Sequence, residues 1–167
     1  MGQLTAQRIF NGIKGILSAL DATDEALIKS ALWRDKAEAH VTDGGTAGTA
    51  QTETFVWRND TGADVLVVGA KICTPVGVTA NDTNNATVTL SKRSSSGGSQ
   101  ATVGALTTNT AQGSITAFLP VALTLTAANV VVASGEVLTI AVSKAGTGVA
   151  IAAATSQARV EIILDKI

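Results

Sequence analysis

Tyrosine is absent from this 167-residue chain, and histidine, cysteine and methionine each occur once. Only two prolines, two tryptophans and three phenylalanines are present. These shortages exclude several kinds of chemistry. Zinc takes three or four nitrogen or sulfur ligands, and His40 with Cys73 supply two, so a zinc site would have to be shared between subunits. One cysteine permits no intrachain disulfide and leaves the redox compartment undecided. Its alternation with apolar neighbours predicts a buried thiol. A catalytic triad needs an imidazole oriented by a carboxylate and facing a nucleophile, whereas His40 stands alone beside a Gly/Thr-rich stretch and reads as solvated. Carbohydrate-binding sandwiches commonly offer aromatic platforms, but Phe55 and Trp57, placed on one strand face, read as core.

Charge is also scarce. Twelve basic and thirteen acidic side chains leave a formal net charge of −1, without the basic footprint that phosphate neutralisation needs, so no nucleic-acid partner is expected. Apolar runs such as "VLVVGA" at 65–70 fall far short of the ~20 residues that cross a bilayer, so no membrane partner is expected. Asn11 and Lys14 interrupt the apolar stretch "IFNGIKGILSAL", which argues against a signal peptide and for a cytoplasmic site of synthesis. Neither a "GxxxxGK[ST]" loop nor a "GxSxG" elbow occurs; "GGSQA" at 97–101 lacks the second glycine. "NDTNNAT" at 81–87 offers one carboxylate among amides, which suits a turn better than a calcium loop. The Asn-x-Thr triplets at Asn59, Asn81 and Asn85 are ordinary chance in a Thr-rich chain. No cofactor, no metal and no enzymatic activity are expected.

What is present falls into three textures. Residues 1–40 carry five basic and five acidic side chains with leucine and isoleucine at helical spacing, and read as an N-terminal helical docking segment. Ile9, Ile13, Ile16, Leu17 and Leu20 share one helical face that Phe10 widens, leaving Gln7, Asn11, Lys14 and Ser18 as a narrow polar stripe. "DATDEALIKSALWRDK" restarts a helix with Thr23 as its cap, an apolar face from Leu27, Ile28, Ala31 and Leu32, and Trp33 roughly opposite. Such helices either pack on the chain's own β-domain or dock on another subunit. The docking reading makes Ile9, Phe10, Ile13, Ile16, Leu17, Leu20 and Trp33 the partner-binding residues.

Residues 41–52, "VTDGGTAGTAQT", have the composition of a linker. Residues 53–167 then run in short alternating stretches of Val, Thr, Ala, Leu and Ile broken by Gly, Asn, Asp and Ser, predicting an antiparallel β-sandwich, jelly-roll-like, of eight or nine strands. Strands are expected at 53–58, 64–73, 86–93, 101–106, 115–125, 130–133, 136–144, 148–154 and 158–164. "NDTGA" reads as a hairpin turn between the first two, and Pro120 as the mark of a bent or edge strand. The body is expected to fold without residues 1–45. Residues 41–157 hold only five basic and six acidic side chains, which suits a subunit with much of its surface against neighbours.

Two stretches, "TAND.N.ATVTLSKR" and "ASGEVLTIAVSKAGTGVA", carry a resemblance over about residues 53–153. There the chain resembles β-sandwich modules of tailed-bacteriophage head decoration or head fibre proteins. The resemblance implies a non-enzymatic virion structural protein on the capsid exterior, bound to the major capsid protein or another virion protein. It also implies a homo-oligomer, often a trimer. A second implied reading is a head or tail fibre adhesin whose sandwich recognises a host surface. An enzyme or lectin built on the same sandwich is disfavoured by the missing acid-base groups and the scarce aromatics.

Overall fold

Period-two alternation places Val, Ile, Leu and Ala on one side of each long strand and Thr, Ser or charged groups on the other, and burial follows that pattern. The computed structural model describes residues 34–41, 53–152 and 157–167. They form β1 (Arg34–Val41), β2 (Thr54–Arg58), β3 (Val65–Cys73), β4 (Ala86–Arg93), β5 (Gln100–Thr107), β6 (Val121–Ala122), β7 (Thr124–Leu125), β8 (Val131–Val132), β9 (Val137–Lys144) and β10 (Ala158–Lys166). A single 3-10 turn, Ala127–Asn129, is the one helical element among the described residues.

All strand pairings are antiparallel. Sheet A runs β1-β10-β3-β6, with β8 also on β3, and sheet B runs β2-β9-β4-β5-β7. The pairs nest from the outside inward: β1 with β10, β2 with β9, β3 with β8 and β6, β4 with β5. Successive pairs alternate between the two sheets, which is what results when one long antiparallel ribbon is rolled up.

Ala37, Ala39, Val65, Val67, Ile72, Val160, Ile162 and Leu164 bury the inner face of sheet A; Val88, Leu90, Leu106, Leu138, Ile140 and Val142 bury that of sheet B. β1 approaches β2 and β9, and β3 approaches β7, so the sheets lie against each other in a sandwich-like arrangement.

Four expectations are corrected. Residues 34–40, read as the end of the helical segment, form β1 along the whole length of β10. Alanine and charged residues favour helix locally, but Ala37, Ala39 and Val41 gain burial only as alternate residues of a strand, and that pairing overrides propensity. "NDTGA" does not close a hairpin, because β2 and β3 lie in different sheets and the turn carries the chain between them. The run 115–125 is no single strand: Ile115 makes an isolated bridge to Val78, Phe118 turns the chain, and β6 and β7 are two residues each. Pro120, which lacks an N–H, sits just ahead of the edge strand β6. Finally, residues 148–152 form no strand. Gly146 and Gly148 both take positive φ in the turn after β9, which ends the extended run there.

Candidate functional site

The outward side of sheet A is a charge ladder. Register places His40 opposite Arg159, Glu38 opposite Glu161 and Lys36 opposite Ile163; across the next pair, Arg159 faces Cys73 and Glu161 faces Lys71. Two glutamates directly opposite would repel, so each pairs diagonally instead. Lys36 Nζ donates to Glu161 at 3.0 Å, and the Arg159 guanidinium donates to Glu38. The Glu38 hydrogen bond and charge hold the Arg159 pKa above its ordinary value. Lys71 has no hydrogen-bond or ion-pair partner among the described residues.

Beside this ladder lies a cleft of about 390 Å³. Pro75, Phe118 and Pro120 form its apolar wall, while Lys71, Arg159, Glu161 and Gln157 provide the polar one. Cys73 lines the cleft half-buried, so the expected fully buried thiol is not observed: it shares the outward face of β3 with Lys71, and Ile72 between them is the buried residue. Phe118 is 75% exposed and adopts φ +60°. A bulky L-residue in that region costs about 1–2 kcal/mol. The bend is pinned by Phe118 N donating to Thr74 O at 2.8 Å and Leu119 N to Thr116 O at 3.1 Å, with Thr74 buried and its hydroxyl donating to Val76 O at 2.8 Å.

A second cleft, about 400 Å³, is lined by Phe55, Trp57, Asp35, Arg58, Asp60 and Thr61. The core reading of Phe55 is overturned, since its side chain is 63% exposed and Trp57 is half-buried. A bulge in β2 between them sets Phe55 opposite Thr139 and Trp57 opposite Leu138, so the two aromatics no longer share a face.

Sheet B presents a different exterior. Three cross-strand rows, Ser143–Thr87–Thr107, Ala141–Thr89–Ala105 and Thr139–Ser91–Thr102, hold small side chains without a single charge; in the last row Ser91 and Thr139 are buried. Thr87 and Thr107 hydroxyls bond to each other at 2.9 Å. Charge gathers at one rim, where Glu53 accepts from Arg93 Nε at 2.8 Å, from Gln100 Nε2 at 3.0 Å and from the Thr139 hydroxyl. Hydrogen bonding from Arg93 lowers the Glu53 pKa against the opposing effect of burial.

Two turns hold this framework. Asn59, fully buried, donates from Nδ2 to Ala63 O and Val132 O, each at 2.8 Å, while its Oδ1 accepts from the Thr61 hydroxyl at 2.7 Å. Its backbone bonds to Glu136 and Gly135 of the "SGE" turn, so one residue ties the β2–β3 crossover to the β8–β9 turn. "NDTNNAT" is a turn, as expected. Asn81 Oδ1 accepts from the Thr83 and Asn84 amides, Asp82 accepts from the Thr110 amide and hydroxyl, and Asn84 Oδ1 accepts from Thr147 N. The Thr110 bonds keep the Asp82 pKa below its ordinary value.

His40 sits exposed on β1. Ile9, Phe10, Ile13, Ile16, Leu17, Leu20 and Trp33, the expected partner-binding residues, lie outside the described residues, as do 42–52 of the expected linker. The Phe118 cleft was not anticipated from the sequence; the signal available was an aromatic-Leu-Pro triplet interrupting an otherwise alternating run.

No protein-family model and no curated protein matches the chain. Among solved structures, one reported as "Structure of infectious bursal disease virus Gt strain" matches at 12% identity and a TM-score of 0.27, covering 82% of this chain. The match spans 32% of the other chain's length, and at that TM-score it carries no argument.

Proposed function

We propose that the chain is a non-enzymatic structural subunit of a virus particle, a capsid decoration protein that binds the outside of a phage head as a homo-oligomer, most simply a trimer. The observation that carries this reading is the strand order. Nested pairs alternating between two sheets, β1-β10-β3-β6 against β2-β9-β4-β5, follow the order of a jelly roll, a fold of viral capsid and lectin domains. The two motifs behind the phage resemblance lie where that order is made: one spans the Asn81 turn and β4, the other the "SGE" turn and β9. The charge-free rows of sheet B fit packing between copies of the chain.

In this reading the apolar stripe of the N-terminal segment, ending before β1, is the contact with the major capsid protein. Replacing Ile13 and Leu17 with Asp would put two charges into a dry contact. The double variant is expected to keep the melting temperature of the parent chain and to fail to co-sediment with capsids assembled without the native protein. Undiminished co-sedimentation would sink the docking role of that stripe.

A head or tail fibre adhesin is the second reading. The exposed, conformationally strained Phe118 beside a cleft favours it, because strain of this kind collects at ligand sites.

A further inference from the structure

We propose that the cleft at the end of β3 and β10 binds the carboxylated pyranose ring of an acidic sugar. Four observations converge on that chemistry. The wall formed by Pro75, Phe118 and Pro120 offers an exposed aromatic between two rigid rings, a surface suited to the C–H face of a sugar. Lys71, which also lines the cleft, is an ammonium with no partner among the described residues, available to receive one carboxylate. Glu161 and Gln157 provide an acceptor and a mixed donor-acceptor of the kind that hydroxyl groups use. The volume, about 390 Å³, lies at the low end for small-ligand sites, which fits a short saccharide.

Charge narrows the choice further. Arg159 already donates to Glu38 and Glu161 accepts from Lys36, so the uncommitted charge facing the cleft is essentially that of Lys71. A single cation suits a monocarboxylate, whereas a nucleotide or polyphosphate calls for several. The ring of Phe118 is held against a conformational cost, and the hydrogen bond from its amide to Thr74 fixes the bend that presents it. Were the ring there for packing it would be covered; it is instead the most exposed large apolar side chain among the described residues.

Glycine takes φ +60° without cost, which makes Phe118→Gly an unusually clean probe. It removes the ring and relieves the backbone together. The test is a chemical-shift titration of the full-length protein with glucuronate, galacturonate and N-acetylneuraminate, with glucose and inorganic phosphate as controls. Saturable shifts at Lys71, Cys73, Phe118 and Arg159 are expected with at least one acidic sugar, about tenfold tighter than with glucose, matching one charge-assisted hydrogen bond. Lys71→Gln should erase that preference, and Phe118→Gly should abolish binding while the melting temperature holds or rises. The proposal is overturned if no acidic sugar binds at tens of millimolar, if phosphate binds as tightly as the sugars, or if Phe118→Gly binds undiminished. The outcome is independent of attachment to a capsid, since a subunit that fails to bind particles could still bind the sugar, and the reverse.

Discussion

Asn59 illustrates how much one polar side chain contributes when no apolar substitute exists. Its amide donates to Val132 O in the interior and to Ala63 O, which also accepts from the Thr61 hydroxyl, so Asn59→Ala would leave the buried Val132 O without its side-chain donor. A loss of about 3 kcal/mol is expected, read as a lower urea midpoint with an unchanged slope. A change under about 1 kcal/mol would show that water replaces the amide. Glu53 sets the acid behaviour. In the folded chain it titrates below the ordinary glutamate range because of Arg93, and on unfolding it returns to that range. Its stabilisation is therefore complete above the ordinary range and is lost as pH falls through the folded value. Melting temperatures between about pH 5 and 3 should fall less steeply in Glu53→Gln than in the parent chain, and parallel slopes would contradict the assignment. The turn at Asn81 was legible in its composition. Phe55 was not, because a single-residue bulge reverses the face of the residues beyond it and leaves no mark in the pattern of apolar residues.

At the scale of elements, the long strands β3, β4, β9 and β10 were readable from alternation alone, because each buries one face completely. The two-residue strands β6, β7 and β8 were not, since no periodicity exists over that length. β1 was illegible for a different reason. "RDKAEAH" favours helix by local propensity, and only pairing with β10, more than a hundred residues later, overrides it. The structure therefore changes an expectation about truncation. A chain beginning at Arg34 retains the full compact unit and should unfold cooperatively. One beginning at residue 46 loses β1 and bares eight residues of β10 as a free edge, so it should melt markedly lower and aggregate. Equal melting temperatures for the two truncations would mean that β1 contributes nothing to the sheet.

The order in which strands enter the two sheets was illegible in the sequence, because alternation states which side of a strand is apolar and is silent about its neighbours. The scarcity of charge in residues 41–157 was legible, and the structure shows where it is concentrated, on the outward rows of sheet B. If copies pack through those rows, Ala141→Glu should dissociate the oligomer in sedimentation velocity while changing the folding stability of the isolated subunit by no more than about 0.5 kcal/mol. A parent chain that is monomeric at micromolar concentration would remove the basis for that packing. The reading as a decoration subunit is tested most directly by a cryo-EM map of the parent particle. It should show two-sheet β-bodies in symmetric clusters on the outer surface of the head shell, in contact with the major capsid protein. A head shell bare of such density, or the same bodies confined to the tail, would contradict it.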